Sequence, residues 1–296
     1  MNDQATLLHE KTSRLHIRRL MNRLILGVII IISLAVFFVI LALLYTIVKK
    51  GLPNISIDFL IGPPEEIDAG GGVGPFLWNS IYILVLSLLL SLPIGIGAGI
   101  FLAEYAPNNR IMEWVRGAIE SLASVPSIVF GLFGYALFVE YFQIGVTILG
   151  ASITLALLNL PVLARVSEEA ITAVPSTWKE ASFALGATKA QTIIKTVLPA
   201  AKKGILTGVS LVACRAFGES AIILLVGGTS SSGQMWDFHL FSEGATLPVH
   251  LWYIQSEALV ADAQQIAEKT SALLVLMVLF LSFIVRFPLW LSQRKK

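Results

Sequence analysis

Residues 24–48, LILGVIIIISLAVFFVILALLYTIV, continue for a full membrane width without one charged side chain. A helix rises about 1.5 Å per residue and the hydrocarbon core of a bilayer is about 30 Å thick, so about 20 apolar residues cross it. In lipid a helix is the segment that satisfies its own backbone hydrogen bonds. The run exceeds the apolar stretch of about 7–15 residues in a secretory signal, and no small-residue cleavage site ends it, so it is expected to stay as an anchor. Similar runs recur at about 77–104, 122–142, 144–164, 204–227 and 271–291. Together they predict an all-α integral membrane protein with six transmembrane helices. Pro126, Gly131, Gly134 and Pro161 interrupt the third and fourth runs. Membrane helices tolerate such residues where neighbours satisfy the freed backbone groups. Composition agrees, at 56% hydrophobic and 14% charged, against about 45–50% and about 25% for soluble proteins.

Lysine and arginine placement sets orientation. Basic residues gather in the N-terminal tail (Lys11, Arg14, Arg18, Arg19, Arg23), in 105–121 (Arg110, Arg116), in 165–203 (Arg165, Lys179, Lys189, Lys195, Lys202, Lys203) and at the C-terminal end (Arg286, Arg294, Lys295, Lys296). The intervening loops hold only Lys49, Lys50 and Lys269. Both termini are therefore expected in the cytoplasm. The organisation reads as a basic tail over 1–23, an extra N-terminal span over 24–48 and an outer loop over 49–76. A core of five spans over 77–291 follows, with a long cytoplasmic loop at 165–203 and a short tail at 292–296.

Several chemistries find little support. The run Gly70–Gly72 lies in a turn-rich loop, and the chain holds no G-x-x-x-x-G-K-[ST] phosphate cradle. Cys214 is the only cysteine, so no intrachain disulfide forms. Of four histidines, His9 and His16 lie in the basic tail, and His239 and His250 lie in an outer loop near Asp237 and Glu243. That set is thin for a metal site or a membrane-embedded enzyme. Gly95 and Gly99 form a G-x-x-x-G that suits close helix packing in lipid.

The loop 165–203 carries more pattern than a connector needs. Thr177 with Glu180 has the spacing of a capping box, and Pro175 blocks continuation from the preceding helix. Gly186 is placed to end the new helix at C′. The short helix between them carries Trp178, Phe183 and Leu185. These side chains need cover, either under the protein's own spans or in the groove of a partner.

The string EASFALGATKAQTIIKTVLP resembles the EAA motif of ABC importer permeases. Glu180, Ala181, Gly186, Leu198 and Pro199 fall in register; Ser182 and Thr196 depart mildly, where the motif has Ala and Ile. The strings LAEYAP, SLASVPSIVFGLFGYALFV, RAFGES and LPVHLWYI look like those of phosphate importer permeases. The resemblance covers about residues 70–291, and LPVHLWYI favours the PstA-type subunit over its PstC-type partner. It implies the type I ABC importer permease fold and a bacterial cytoplasmic membrane. It also implies a heterodimer with a PstC-type permease, a PstB-type ATPase dimer and a PstS-type external phosphate-binding protein. ATP and Mg would be handled on the ATPase, with no cofactor in this chain and no catalytic residue. Thr177, Trp178, Glu180, Ala181, Gly186, Leu198 and Pro199 would serve coupling to that ATPase. Permeases for molybdate or sulfate share the coupling motif, so it does not distinguish the oxyanion.

Within the fifth run, LVACRAFGESAIILLV, stand Arg215 and Glu219. Four residues apart, they are expected on one helix face. A charge at bilayer depth costs about 2.5–3.5 kcal/mol on insertion scales, so it faces the protein interior or a wet path. The pair is either structural, each neutralising the other, or part of a substrate path. Arginine suits phosphate because its planar fork donates two charge-assisted hydrogen bonds. The phosphate permeases resembled here place an Arg and a nearby Glu in this span for translocation.

Overall fold

A computed structural model describes residues 2–65, 70–257 and 260–293. Loop residues 66–69 and the terminal Arg294, Lys295 and Lys296 lie outside the described residues, as do the side chains of Lys11, Arg14 and Arg19. The chain divides into two units, Met1–Lys50 and Gly51–Lys296.

The first unit is helix α1, Asn2–Gly51, continuous through the expected basic tail and the first span. Its apolar part has a mean hydropathy of 3.4, the highest of the candidate spans.

In the second unit the regular elements among the described residues are all helices, joined by non-helical segments such as 228–246. Helix α2 (Ile57–Ile61) is capped by Ser56, whose hydroxyl accepts from the Phe59 amide. Helix α3 (Gly74–Ile100) widens into a π-helical turn at Phe101–Tyr105. Helix α4 (Arg110–Ser124) starts at Asn109, whose side chain accepts from the Met112 amide. Helix α5 (Ser127–Gly134) runs on as a π-helical segment, Tyr135–Tyr141. The long helix α6 (Ile148–Thr172) is capped by Thr147. Two short helices follow, α7 (Ser176–Ala184) and α8 (Lys189–Thr192). The π-helical turn Ile193–Val197 leads into α9 (Leu198–Phe217). A further π-helical turn spans Ile223–Gly227. Helices α10 (Leu247–Ser256) and α11 (Ala263–Gln293) complete the chain.

Among the described residues, five helical stretches are long and apolar enough to cross a membrane: Met21–Asn54, Gly74–Tyr105, Ile148–Thr172, Lys189–Phe217 and Ala263–Phe287. The remaining expected crossing, about 122–142, differs from expectation. It falls on α4 and the segment Ser127–Tyr141, which meet at 92°. Pro126 explains the break, because proline cannot donate to the preceding turn and biases Val125 to the extended conformation seen there.

Helix α6 is the centre of the unit, with α3 on one side and α9 on another. Gly95 and Gly99 are buried where α3 meets α6; a Cβ on Gly95 would lie 2.6 Å from the Leu163 Cβ, and one on Gly99 would strike Ser167. Small residues at four-residue spacing thus let the two backbones approach, as the G-x-x-x-G predicts. Gly97, on the other side of α3, meets nothing. The main apolar core joins Ile83, Leu155, Phe217, Ile222, Leu247 and Ile266. A smaller one, Ile171, Val174, Val197 and Ala201, lies beneath the segment carrying α7 and α8.

Candidate functional site

Helix α9 ends at Phe217, so the expectation that Arg215 and Glu219 share one helix face needs correction. Gly218 takes φ −87° and ψ 2°, and Glu219 and Ser220 lie outside any helix. The chain becomes helical again at Ala221. Arg215 closes the last turn of α9, where a cation complements the exposed carbonyls and the helix dipole. The Glu219 carboxylate accepts a hydrogen bond of 3.0 Å from the Ala221 amide, at the start of the next helical segment. Each charge is thus stabilised by a helix end. Among the described residues no ion pair joins them. Arg215 is exposed on this chain and Glu219 half-buried.

The surroundings of the break are polar at depth. Helices α6 and α9 pack with Gly208 against Val166 and Gly204 against Ala170. This antiparallel register carries Asn159 to the level of Arg215. Asn159 is 2% exposed, and its amide nitrogen has no partner among the described residues. Helices α3 and α6 pack with Gly95 against Leu163 and Gly99 against Ser167, which brings Ser91 to the level of Asn159. The Ser91 hydroxyl is buried and also lacks a partner. Neither residue is among the candidates named from the sequence. Their signal was a polar side chain two positions before a proline in an apolar run, Ser91-Leu92-Pro93 and Asn159-Leu160-Pro161. Each proline removes a donor from its helix, leaving a carbonyl one turn back without its usual amide.

Away from this level, the short helix α7 carries Trp178, Glu180 and Ala181, with Gly186 just past its C-terminal end. Its N-terminus differs from the expected capping box. Pro175 occupies the cap position with no side-chain hydrogen bond, and Thr177 lies inside the helix. The capping box forms instead at α8, where Thr188 and Gln191 satisfy each other's amides. At the other end Gly186 has φ +80°. Its amide donates to the Phe183 carbonyl at 2.9 Å, and the Ala187 amide donates to the Ser182 carbonyl at 3.2 Å. These two bonds make a Schellman motif with glycine at C′. Trp178 is 53% exposed, and Phe183 and Leu185 are also exposed.

Charges tie α7 to the ends of the long helices. Lys179 pairs with Glu104 at 2.5 Å, and the Ser182 and Thr192 hydroxyls meet at 2.9 Å. The Lys189 ammonium lies 4.5 Å over the Tyr105 ring. Leu198 and Pro199 open α9, with proline in the first turn where a missing amide is harmless. Arg116 donates to Glu168 at 2.6 Å and to the Leu102 carbonyl at 2.9 Å. Arg165 bridges Glu169 and Glu120.

At the opposite end, among the described residues, no three His, Cys, Asp or Glu side chains gather as metal ligands do. His250 is buried and stacks on Phe76 at 4.1 Å. Burial pushes its imidazole down to about 4. Burial pushes the Asp237 carboxyl up, but hydrogen bonds from the His239 amide and the Ser242 hydroxyl outweigh this and hold it low.

Comparison with known proteins identifies the fold and the family. A chain of the MetNI methionine ABC transporter, in an inward-facing conformation, superposes with a TM-score of 0.57 over 71% of this chain and 93% of that one. The two are 23% identical, so the likeness carries the fold, that of a type I ABC importer permease. The probable ABC transporter permease protein YqgI of Bacillus subtilis is 36% identical over 280 residues, covering 91% of this chain and 95% of its own length. The phosphate transport system permease protein PstA of Haemophilus influenzae is 34% identical over 273 residues, 92% of this chain and 95% of that one. Its namesake in Yersinia pestis is 33% identical over 290 residues, 97% and 96%. Residues 95–295 match the family described as binding-protein-dependent transport system inner membrane component. The chain belongs to that family, the membrane-spanning permease subunits of ABC transporters.

Proposed function

We propose that this chain is the PstA-type permease subunit of an ATP-driven importer of inorganic phosphate. It contributes half of the translocation path and pairs with a PstC-type permease. A PstB-type ATPase dimer, which holds ATP and Mg, drives it, and a PstS-type external protein delivers phosphate. The chain sits in the bacterial inner membrane with both termini and α7 in the cytoplasm. Its role is that of a transporter subunit, not an enzyme.

The observation that carries the reading is the helix break between Arg215 and Glu219. An exposed guanidinium held at a helix end, with no carboxylate closing its fork among the described residues, is free to donate to an oxyanion. Glu219 stands beside that route, engaged to Ala221. The site is suited to brief occupancy, because one fork binds an anion without trapping it. Relatives named for phosphate transport, matched over nearly the whole chain, support phosphate as the cargo. The exposed apolar face of α7, with its glycine-closed end, supports docking to the ATPase.

The test has two parts. Copurification from native membrane should recover a second permease and an ATPase. Vesicles holding the complete transporter should take up radiolabelled phosphate in competition with unlabelled phosphate, and far less with sulfate or molybdate. Uptake that follows sulfate or molybdate instead overturns the cargo while leaving the permease assignment intact.

A further inference from the structure

Helix α4 has three distinct flanks. Met112, Arg116, Ile119 and Ala123 are half-buried and turn toward the protein. Arg116 reaches Glu168 on α6, and Arg165 of α6 reaches back to Glu120. These bonds fix how the helix is rolled. One of the two remaining flanks carries Ile111, Trp114, Val115, Ala118 and Leu122, spaced at i, i+3, i+4, i+7 and i+11. All five are exposed, Trp114 to 81%. The other free flank carries Glu113, Gly117, Glu120, Ser121 and Ser124, also exposed. Two exposed flanks of opposite character, on a helix whose roll is pinned, point to two different media.

The direction of the helix identifies them. Ser127–Tyr141 follows α4 at 92°. That segment is about 22 Å long at 1.5 Å per residue and crosses most of a hydrocarbon core. A helix perpendicular to a crossing segment lies in the bilayer plane. Its apolar flank also continues along the chain into the exposed apolar surface of α5, at Ile128, Val129, Leu132 and Phe133. Arg110 is exposed at the start of α4, and exposed Lys195, Lys202 and Lys203 lie in the same half of the unit's topology. Such charges complement anionic head groups. A helix with one apolar face, one charged face and a large aromatic residue is the kind that rests in a membrane interface with its apolar side about 5–10 Å deep.

We infer that α4 is an interfacial helix. Its Ile111–Leu122 flank is sunk into the head-group and acyl boundary of the leaflet on the α7 side, and its Glu113–Glu120 flank lies in water. The inference rests on the permease reading only for which leaflet this is, the cytoplasmic one. It gives the transporter a fixed support: Arg116 and Glu120 join the lipid-held helix to α6, next to the Glu104–Lys179 link to α7.

Spin labels test it in the complete transporter, reconstituted in vesicles of phosphatidylethanolamine and phosphatidylglycerol. Single cysteines I111C, W114C, A118C and L122C form one set and E113C, E120C and S124C the other, all in a C214S background. Collision with oxygen reports lipid, and collision with a water-soluble nickel chelate reports water. The first set should favour oxygen severalfold and the second nickel by a similar factor, alternating with the helical period. Nickel access at 111, 114 and 118 equal to that at 113 overturns the inference. So does shielding of those positions from both reagents, which would mean that a partner subunit covers the flank. The readout involves no substrate, so it stands apart from any failure of the phosphate reading.

Discussion

Arg215 and Glu219 lie on opposite sides of a helix end, the cation on the last turn of α9 and the anion bonded to the Ala221 amide at 3.0 Å. Two intramembrane charges are thus accommodated without an ion pair between them. Among the described residues no carboxylate pairs with the guanidinium.

Glu219→Gln retains a carbonyl oxygen for the Ala221 amide and removes the charge. It should assemble normally and lower uptake less than loss of Arg215 does. Glu219→Ala also removes the hydrogen bond, at a cost of about 1 kcal/mol. Thermal denaturation in detergent should rank wild type and Glu219→Gln together, with Glu219→Ala lower by a few degrees. A Glu219→Gln protein as unstable as Glu219→Ala would show that the charge, not the bond, holds the break.

Gly186→Val places a β-branched residue at φ +80°. No neighbour lies within 4 Å of the new Cβ, so the cost is backbone strain, about 1–2 kcal/mol. The α7 end should be misplaced and uptake should fall at least about tenfold, with insertion unchanged. Gly186→Asn, which tolerates this conformation better, should retain more activity. Normal uptake by Gly186→Val, measured at equal membrane abundance, contradicts a coupling role for this helix.

Gly99→Ala drives a methyl into Ser167, whereas Gly97→Ala meets open space. Forced shifts of this kind cost about 1–3 kcal/mol. Melting of the purified permease should drop for Gly99→Ala and stay unchanged for Gly97→Ala; equal melting of the two disproves the tight α3–α6 contact.

His250, in the connection between spans, titrates near 4 when folded because of burial. Unfolded, its value is about 6.5. A depressed histidine binds its proton in the unfolded chain first, so its contribution is complete above about pH 6.5 and is lost as pH falls toward 4. The shift corresponds to about 3 kcal/mol over that window. His250→Phe keeps a ring for Phe76 to stack on. Its melting temperature should fall less than that of wild type between about pH 7 and about pH 5. Identical falls would remove His250 from the account.

The long apolar runs were legible because their length alone demands a helix in lipid. Gly186 was legible because only its position fitted a helix stop. The T-x-x-E at Thr177 misled, since Pro175 took the cap position and left the box to Thr188 and Gln191. The break at Gly218–Ser220 was hidden: Gly218, at φ −87°, needs no special conformation, and no proline marks it. The 92° turn at Pro126 was visible as an interruption but not as an angle. Asn159 and Ser91 are brought to one level only by the register of α3, α6 and α9, which the glycine contacts set and the sequence does not show.

The central claim, that Arg215 meets phosphate in transit, is tested most directly by uptake of radiolabelled phosphate into vesicles carrying the complete transporter with Arg215→Ala. Two charge-assisted hydrogen bonds, at about 1.5–3 kcal/mol each, are lost. Assembly with the partner subunits should match wild type, uptake should fall about a hundredfold or more, and Arg215→Lys should recover little because the fork is gone. A fully assembled Arg215→Ala transporter that moves phosphate at the wild-type rate would contradict the account and put the substrate path elsewhere.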